Sequence, residues 1–521
     1  MSGANDKLTM VELLTALEFE TSIGQLFLEH NYIRVDIKTR ICKYLLSGGY
    51  YFEYDSDKAL WTEISVQELN NQIDRWLRSQ YEIIKRDESD FEKVLLLTKE
   101  LKRVCKYKFI ENVIMSIKSD LVDNTIFDKL DKIRPEWLPI KGNQVINLYT
   151  EEVRPRRITD YFTWECPVKP VEEYSKFFLD CMNSIMCNDE ARIEYFKKIM
   201  GYCLTGSKEA QSYFIWHGKG SNGKSLVLNL LGAVLGKACS PISKSVLVDC
   251  GKKGANGSEM ITLKDLRLGT FSETNSNESL NEGTLKSISG GDKIRARALY
   301  KEEISFEVFM KLIVCTNNKP EFDGSDRGTA RRIKLLPFDA RFVSKDPRVE
   351  KNEFLIIEDL EKILIEKHLD EFFTFCLEGS VAWSKDKKFD IVPDEVRKQQ
   401  NRYIQEQNSF GSWHEDCIVE NATFKVVRSE AYKSYEGYCD SRGLKPLRKK
   451  DFLSKLSEEL GNAVKKSGIF CFPGFKLIDD EASDDDSDEE EVELTEAEAM
   501  LARIEQSRIA FANSRTKKSE K

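Results

Sequence analysis

The chain has 521 residues, 41% hydrophobic and 32% charged, with a formal net charge of −9, which gives room for about three domains with buried cores. It contains no apolar run long enough to span a bilayer, and its N-terminus lacks the charged-then-apolar layout of a secretion signal. An intracellular protein with no membrane partner is expected.

The charge is unevenly placed. Residues 479–493 hold eleven carboxylates and no Lys or Arg, so removing them leaves −9 + 11 = +2 for the rest. A near-neutral body is no obstacle to a nucleic-acid partner. The thirteen cysteines are scattered, and no Cys-x2-Cys occurs. The four histidines (His30, His217, His368, His414) give a zinc site little to work with. Reduced core cysteines are expected.

In chain order, residues 1–165 read as a mainly helical domain with small β pieces. Val66, Leu69, Ile73, Trp76, Leu77 and Ile84 recur at helical spacing, predicting an amphipathic helix over 66–86. Phe52 to Ile64 reads as a hairpin turning at 55–58, and Tyr161 to Val168 as a strand. The basic run Arg154-Pro-Arg-Arg157 fits either a nucleic-acid contact or a turn at a domain joint. Residues 166–205 form a lead-in containing two helices.

The core, 206–345, opens on the β-prone run 212–216. Residues 218–225 then read Gly-Lys-Gly-Ser-Asn-Gly-Lys-Ser, the Gly-x4-Gly-Lys-Ser phosphate-binding loop of nucleotide hydrolases, followed by an apolar helical stretch, 226–235. Gly218, Gly220 and Gly223 let backbone N–H groups converge on phosphate oxygens. Lys219, Ser221 and Asn222 complete the loop. Lys224 reaches the β- and γ-phosphates and the Ser225 hydroxyl ligates Mg²⁺. ATP and Mg²⁺ are the expected cofactors.

Three more β-prone runs follow, Leu266–Ser272, Lys311–Asn317 and Arg331–Phe338, and their alternation with helices predicts an α/β sheet. The first delivers Glu273 at its end, a carboxylate suited to activating water or to sharing the metal with Ser225. Lys293, Arg295 and Arg297 alternate with apolar or small residues, giving one strand a cationic face, and Lys301 lies near the hairpin tip. An edge strand using charge against aggregation gives the same pattern. Asn317 ends the second run, where an amide can sense the γ-phosphate. Arg331 and Arg332 precede the third, offering bidentate phosphate recognition or a structural ion pair.

Residues 346–405 read as helical. Over 406–478, helices near 429–441 and 450–460 and a hairpin over 463–472 describe a winged helix, whose Lys449, Lys450, Lys465 and Lys466 suit a nucleic-acid or a protein partner equally. The tail, 479–521, is disordered by composition with one helical stretch at 494–512. Ser483 and Ser487 are each followed by three acidic residues, which suits an acid-directed kinase.

The order phosphate loop, strand–Glu273, Lys286…Gly-Gly-Asp292…Arg297, strand–Asn317, then Arg-Arg and Pro-Phe resembles the superfamily 3 helicases. More narrowly it is similar to the poxvirus-type helicases of large DNA viruses and their phage primase–helicase relatives. Trp137-Leu-Pro-Ile-Lys-Gly-Asn-Gln-Val-Ile-Asn-Leu148 and Phe196…Met200-Gly-Tyr-Cys-Leu-Thr-Gly206 resemble that family's lead-in. The resemblance implies an AAA+-type P-loop ATPase core and a ring, expected to be a hexamer, with single-stranded or forked DNA in its channel. It implies 3′–5′ translocation, and an arginine finger at Arg332 first or Arg331 second. No Asp-x-Asp with a following His precedes the core, so a separate primase or polymerase partner is expected. Ser272-Glu273 replaces the paired acids of many members, leaving open how Glu273 divides between base and metal ligand.

Overall fold

The computed structural model describes residues 20–35, 39–123, 130–132, 134–248, 257–272, 281–297, 303–320, 327–442, 446–466 and 469–478, with isolated positions 9, 12, 13, 16, 322 and 444. They fall into two compact units, residues 1–320 with 332–396, and residues 321–331 with 397–521.

In the first unit, helices Glu20–His30, Val66–Asp87, Phe91–Val104 and Tyr107–Leu121 share a core that includes Leu69, Ile73, Leu77, Ile110 and Ile117. The second helix begins where the Ser65 hydroxyl accepts the Glu68 N–H, a side-chain N-cap. The predicted hairpin is present as Tyr50–Asp55 paired with Leu60–Ile64, its turn held by the Asp55 carboxylate accepting from the Asp57 and Lys58 N–H groups. A third strand, Tyr44–Ser47, joins it unpredicted. All four of its residues are buried, so it lacks the alternation that marks a half-exposed strand.

The strand expected over 161–168 is replaced by an extended segment with one isolated bridge, Ile140 to Cys166. Phe162, Trp164, Cys166 and Val168 are buried in alternation, yet Pro167 has no N–H to give a ladder. Single bonds hold the segment instead, among them Trp61 N–H to the Phe162 carbonyl and Cys166 N–H to the Pro139 carbonyl. The Asp131 carboxylate also accepts the Thr163 N–H and hydroxyl at 2.7 and 2.6 Å.

Burial, then the charge of Asp265, pushes the Asp131 carboxyl up to about 6. The folded chain therefore binds the extra proton between about pH 4 and 6, and Asp131 costs stability above pH 6, a cost that fades as pH falls. Asp131→Asn is expected to stabilise the chain near pH 7 by on the order of 2–3 kcal/mol, and by clearly less at pH 4.5. Denaturant melts at the two pH values measure this, and an equal difference at both would refute it.

The centre of the unit is a five-stranded all-parallel sheet in the order Cys239–Pro241, Leu268–Ser272, Lys311–Thr316, Tyr213–His217, Ile333–Pro337. The three runs predicted from sequence are all here, shortened at their ends. Residues 331 and 332 belong instead to a short helix, Arg327–Arg332. Lys311–Thr316 is buried throughout, as a parallel strand covered on both faces must be.

Helices Lys176–Ile185, Glu190–Leu204, Lys224–Leu235 and Leu369–Asp386 share the apolar core with the sheet. Glu190–Leu204 and Leu369–Asp386 cross at Gly201 and Gly379. A Cβ on Gly201 would stand 1.9 Å from the Ser380 nitrogen, and one on Gly379 1.8 Å from the Lys197 carbonyl oxygen. Because both obstacles are backbone, Gly201→Ala is expected to cost roughly 2–4 kcal/mol by forcing the helices apart. Gly232→Ala, where nothing lies within 4 Å, should be neutral or better in the same thermal melt. Residues 346–405 are helical as expected at Leu360–Lys367, Leu369–Asp386 and Asp394–Gln407, but a parallel pair, Arg341–Val343 with Glu353–Leu355, precedes them.

In the second unit the predicted helices appear as Arg428–Arg442 and Lys449–Leu460, and the hairpin as Val464–Lys466 with Ile469–Leu477. Helix Ser409–Cys417 and strand Ile418–Val427 precede them. That strand pairs with Ile469–Leu477, completing a three-stranded antiparallel sheet. Trp413, Tyr435 and Phe452 form its core, with the Tyr435 and Phe452 rings stacked at 4.7 Å. The tail, 479–521, lies outside the described residues.

Candidate nucleotide site and nucleic-acid hairpin

Parallel register puts the carboxyl ends of the strands on one edge of the sheet. Thr316 and Pro337 both pair with His217, and Ser272 pairs with Cys315. Strand Tyr213–His217 has its next-in-sequence sheet partner, Cys239–Pro241, at the far edge, while Ile333–Pro337 lies on its other side. Such a reversal of strand order opens a crevice beyond the carboxyl ends, where α/β sheets bind ligands. The loop 218–223 leaves His217 at that point and enters helix Lys224–Leu235, whose first N–H groups have no intrahelical acceptor.

The loop's shape is set by close contacts. A Cβ on Gly218 would meet the Asn222 amide nitrogen at 2.1 Å and the Phe338 carbonyl oxygen at 2.5 Å. Gly220 and Gly223 have φ of +98° and +88°, open to glycine and strained for other residues. The Asn222 amide donates to the Phe338 carbonyl at 3.2 Å, and the Phe342 N–H to the Ser221 carbonyl at 2.8 Å. Lys224 is buried, and its ammonium donates to the Gly218 carbonyl (2.6 Å), Asn222 Oδ1 (3.1 Å) and Asn317 Oδ1 (3.3 Å). All three acceptors are neutral, and burial pushes the lysine below its usual range. A buried cation whose acceptors among the described residues are all neutral oxygens, at a helix N-terminus, fits a polyphosphate. Ser225, in the first helical turn, is exposed, as are Lys219, Gly220 and Ser221 in the loop before it.

Thus Lys224, Asn222 and Asn317 are brought together, and Glu273, assigned as base and metal ligand, lies outside the described residues, as does Lys301. Arg331 is exposed and Arg332 half-buried. His217 and Lys319 were not read as site residues. Burial, then the charges of Lys319 and Lys224, hold the His217 imidazole below its ordinary value, so it stands neutral at pH 7 beside two cations. Arg192 was also missed. It donates to the Pro337 carbonyl at 2.7 Å and pairs with Asp339 at 3.0 Å, fixing the end of the strand behind the loop. These partners lie so far apart in sequence that no local pattern announces them.

Strands Lys293–Arg297 and Glu303–Glu307 form the expected hairpin. Ile294 and Ala296 are buried while Lys293, Arg295 and Arg297 are exposed, so the alternation is as read. The exposed face is less cationic than the sequence implies, however. Lys293 stands opposite Glu307, Arg297 opposite Glu303, and Arg295 opposite Ser305. Directly opposed residues share a face, so two of the three cations have a carboxylate across from them and Arg295 has a hydroxyl. Lys208 braces the hairpin's base, its buried amine donating to the Ile288 carbonyl and to the Met310 carbonyl at 2.6 Å.

The basic run 154–157 takes its structural reading at two positions. Arg154 pairs with both Asp160 oxygens at 2.8 Å and lies 4.3 Å over the Trp137 ring, and Arg156 is buried against Glu165. In the second unit, Lys449 lies over Tyr432 and Lys465 over Phe470. Among the described residues no cluster of His, Cys, Asp and Glu is suited to a metal ion, and no helix is long and apolar enough to cross a membrane.

Comparison with known proteins follows the same lines. Residues 25–200 match the family described as D5 N terminal like, and residues 216–332 match a family of unknown function, DUF5906. A protein of Acanthamoeba polyphaga mimivirus, provisionally named a helicase, is 33% identical over 164 residues, covering 31% of this chain and 17% of that protein. One of Frog virus 3 with the same provisional name is 26% identical over 265 residues, covering 49% and 27%. One of African swine fever virus, provisionally named a primase, is 25% identical over 349 residues, covering 62% and 35%. The matched part therefore spans about a third or less of these relatives' length. Among solved structures, the apo C-terminal region of NrS-1 is similar at 12% identity and a TM-score of 0.44, covering 87% of this chain and 98% of that one. The chain is thus similar to proteins of large DNA viruses provisionally named helicase or primase, in line with the superfamily 3, poxvirus-type helicases that its Gly-rich loop and the motifs after it resemble.

Proposed function

We propose that the chain is an ATP-dependent DNA helicase of a DNA virus acting in genome replication, an AAA+-type ring, expected to be hexameric, that moves 3′–5′ on single-stranded or forked DNA. The observation that carries this reading is the Lys224 ammonium, buried among neutral oxygens at the carboxyl edge of a parallel sheet, with Asn317 at its side. Lys224 and the helix N-terminus would hold the β- and γ-phosphates, and Asn317 would sense the γ-phosphate. Mg²⁺, held by Ser225 and Glu273, would neutralise phosphate charge, and Glu273 would orient the attacking water. The helix–strand–helix–helix–hairpin order of the second unit supports a winged helix. An initiator that remodels DNA without processive unwinding is the second reading, favoured by that same unit.

ATP turnover with and without single-stranded DNA, together with displacement of a labelled strand from a fork, tests the reading. Turnover without displacement would favour the initiator, and no turnover would remove both. Within the hairpin, Arg295 is expected to carry more of the phosphate contact than Lys293 or Arg297, because Ser305 and not a carboxylate stands directly opposite it. Arg295→Ala should flatten the salt dependence of single-strand binding by about 0.7 in log–log slope, one contact's worth, with smaller changes for the other two. Three equal slopes would refute that ranking. Lys301 is proposed to track the DNA backbone, with Lys301→Ala expected to remove unwinding and spare basal turnover.

A further inference from the structure

Arg428 opens helix Arg428–Arg442 and lines a groove of about 450 Å³ with Lys450, Ser454, Ser457, Glu458 and Asn462. The groove lies wholly within the second unit. Lys450, Ser454 and Ser457 stand at i, i+4 and i+7 of helix Lys449–Leu460, on the side away from buried Phe452 and Leu456. The two helices are tied together just before the second begins. The Tyr432 hydroxyl donates to the Leu447 carbonyl at 3.1 Å, and the Leu447 N–H donates to the Tyr435 hydroxyl at 3.0 Å. With Tyr435 stacked on Phe452, the groove is preorganised.

Its chemistry is that of an anion site. The Arg428 guanidinium lies 5.3 Å from the centre of the Phe470 ring, yet its Nε is buried and has no hydrogen-bond partner. A buried donor without an acceptor is unfavourable, and an oxygen entering the groove would relieve it. Neither Arg428 nor Lys450 forms an ion pair among the described residues. The nearby Asp451 is already matched, accepting from Arg448 at 2.8 Å. The Asn462 amide adds a neutral donor. The Ser457 hydroxyl donates to the Leu453 carbonyl at 2.8 Å, whereas Ser454 reaches only Glu458, at 3.5 Å, and can turn to a stronger acceptor. Glu458 is the one carboxylate among the described lining residues, so an anion would sit toward Arg428 and Lys450.

We infer that this groove seats the phosphate backbone of duplex DNA, with Arg428 and Lys450 as its cations and Ser454 and Asn462 as neutral donors. Of the lysines singled out from sequence, Lys450 alone is among the described lining residues, and Arg428 was not read at all. A duplex fits better than a single strand. In consecutive packed helices of this kind the first crosses the backbone and the second lies along the major groove. Here the first supplies Arg428 from its start and the second Lys450 and Ser454 from its outer side. No aromatic ring is among the described lining residues, as stacking of unpaired bases would require. The inference rests on neither the nucleotide site nor ring assembly.

The test measures binding of the full chain, without nucleotide, to a short fluorescent duplex and to one of its strands alone over a salt series. Arg428→Ala combined with Lys450→Ala is expected to flatten the log–log salt slope for the duplex by about 0.9, one phosphate contact, and each alone by part of that. Ser454→Ala should weaken duplex binding about 3- to 10-fold with the slope unchanged, because a hydroxyl carries no charge. Glu458→Gln should tighten it roughly threefold. Lys450 and Glu458 are exposed, so these two variants keep their fold and decide the matter even where Arg428→Ala melts early. A chain without ATP turnover would still show every shift, which separates this inference from the helicase reading. An unchanged duplex slope in the combined variant would leave the groove to a protein partner and overturn the inference. Weaker binding in Glu458→Gln, or changes confined to the single strand, would overturn it as well.

Discussion

Lys224→Ala is expected to lower ATP turnover by at least about 10²–10³-fold, the scale of removing one preorganised charge from a developing phosphate anion. Melting temperature should barely change. From sequence the lysine is a surface loop residue, whereas it is in fact buried and donates to three oxygens. Those bonds do not convert into large stability, because desolvating the ammonium opposes them, as its lowered proton affinity records. Removing the amine thus loses contacts and relieves burial of a charge together, for a net change within about 1 kcal/mol. Turnover and a thermal melt on the same preparation measure both. Near-normal turnover with unchanged melting would sink the nucleotide-site assignment, while lost turnover with a collapsed melt would mean that the lysine is a structural pin.

The second large effect is expected at the paired arginines. A guanidinium reaching the γ-phosphate of a neighbouring subunit contributes on the order of 10³–10⁵ in rate. Such a group must stand at the surface, and Arg331 is exposed where Arg332 is half-buried. Exposure therefore favours Arg331, the second choice from sequence, over Arg332, the first. Alanine at the finger should leave ATP binding nearly normal and collapse turnover. Mixed with Lys224→Ala, which keeps a sound finger, it should regain activity at about a quarter of the boundaries of randomly assembled rings. Continued inactivity in rings shown to be mixed would argue for an arginine acting within its own subunit, and normal turnover in both alanine variants would return the pair to the ion-pair reading.

Much of the local architecture was legible before any tertiary contact was known. The strand–loop–helix around 218–225, helix Val66–Asp87 and the alternation of Lys293–Arg297 all follow from periods and glycine positions within a few residues of each other. What misled was also local. Residues 161–168 alternate like a strand, but Pro167 and the lack of a continuous partner leave them with isolated bonds. Tyr44–Ser47 does not alternate and is a strand all the same.

By itself the sequence determined the Gly-rich loop 218–225, the order of the charged and polar residues after it and the concentration of negative charge in the tail. These depend on residue type and spacing alone, since conformational freedom and charge are properties of single residues. Only the tertiary structure decided which side chains meet. Lys224 and Asn317 are 93 positions apart and touch because two parallel strands end side by side. Lys293 and Arg297 face glutamates because of one antiparallel register, and a shift of one residue would have changed every partner. Arg154 and Arg156 are spent on Asp160 and Glu165 by the way the chain folds back at a single turn. Hydrogen-bond and charge partners follow strand register and packing, which the whole chain settles together.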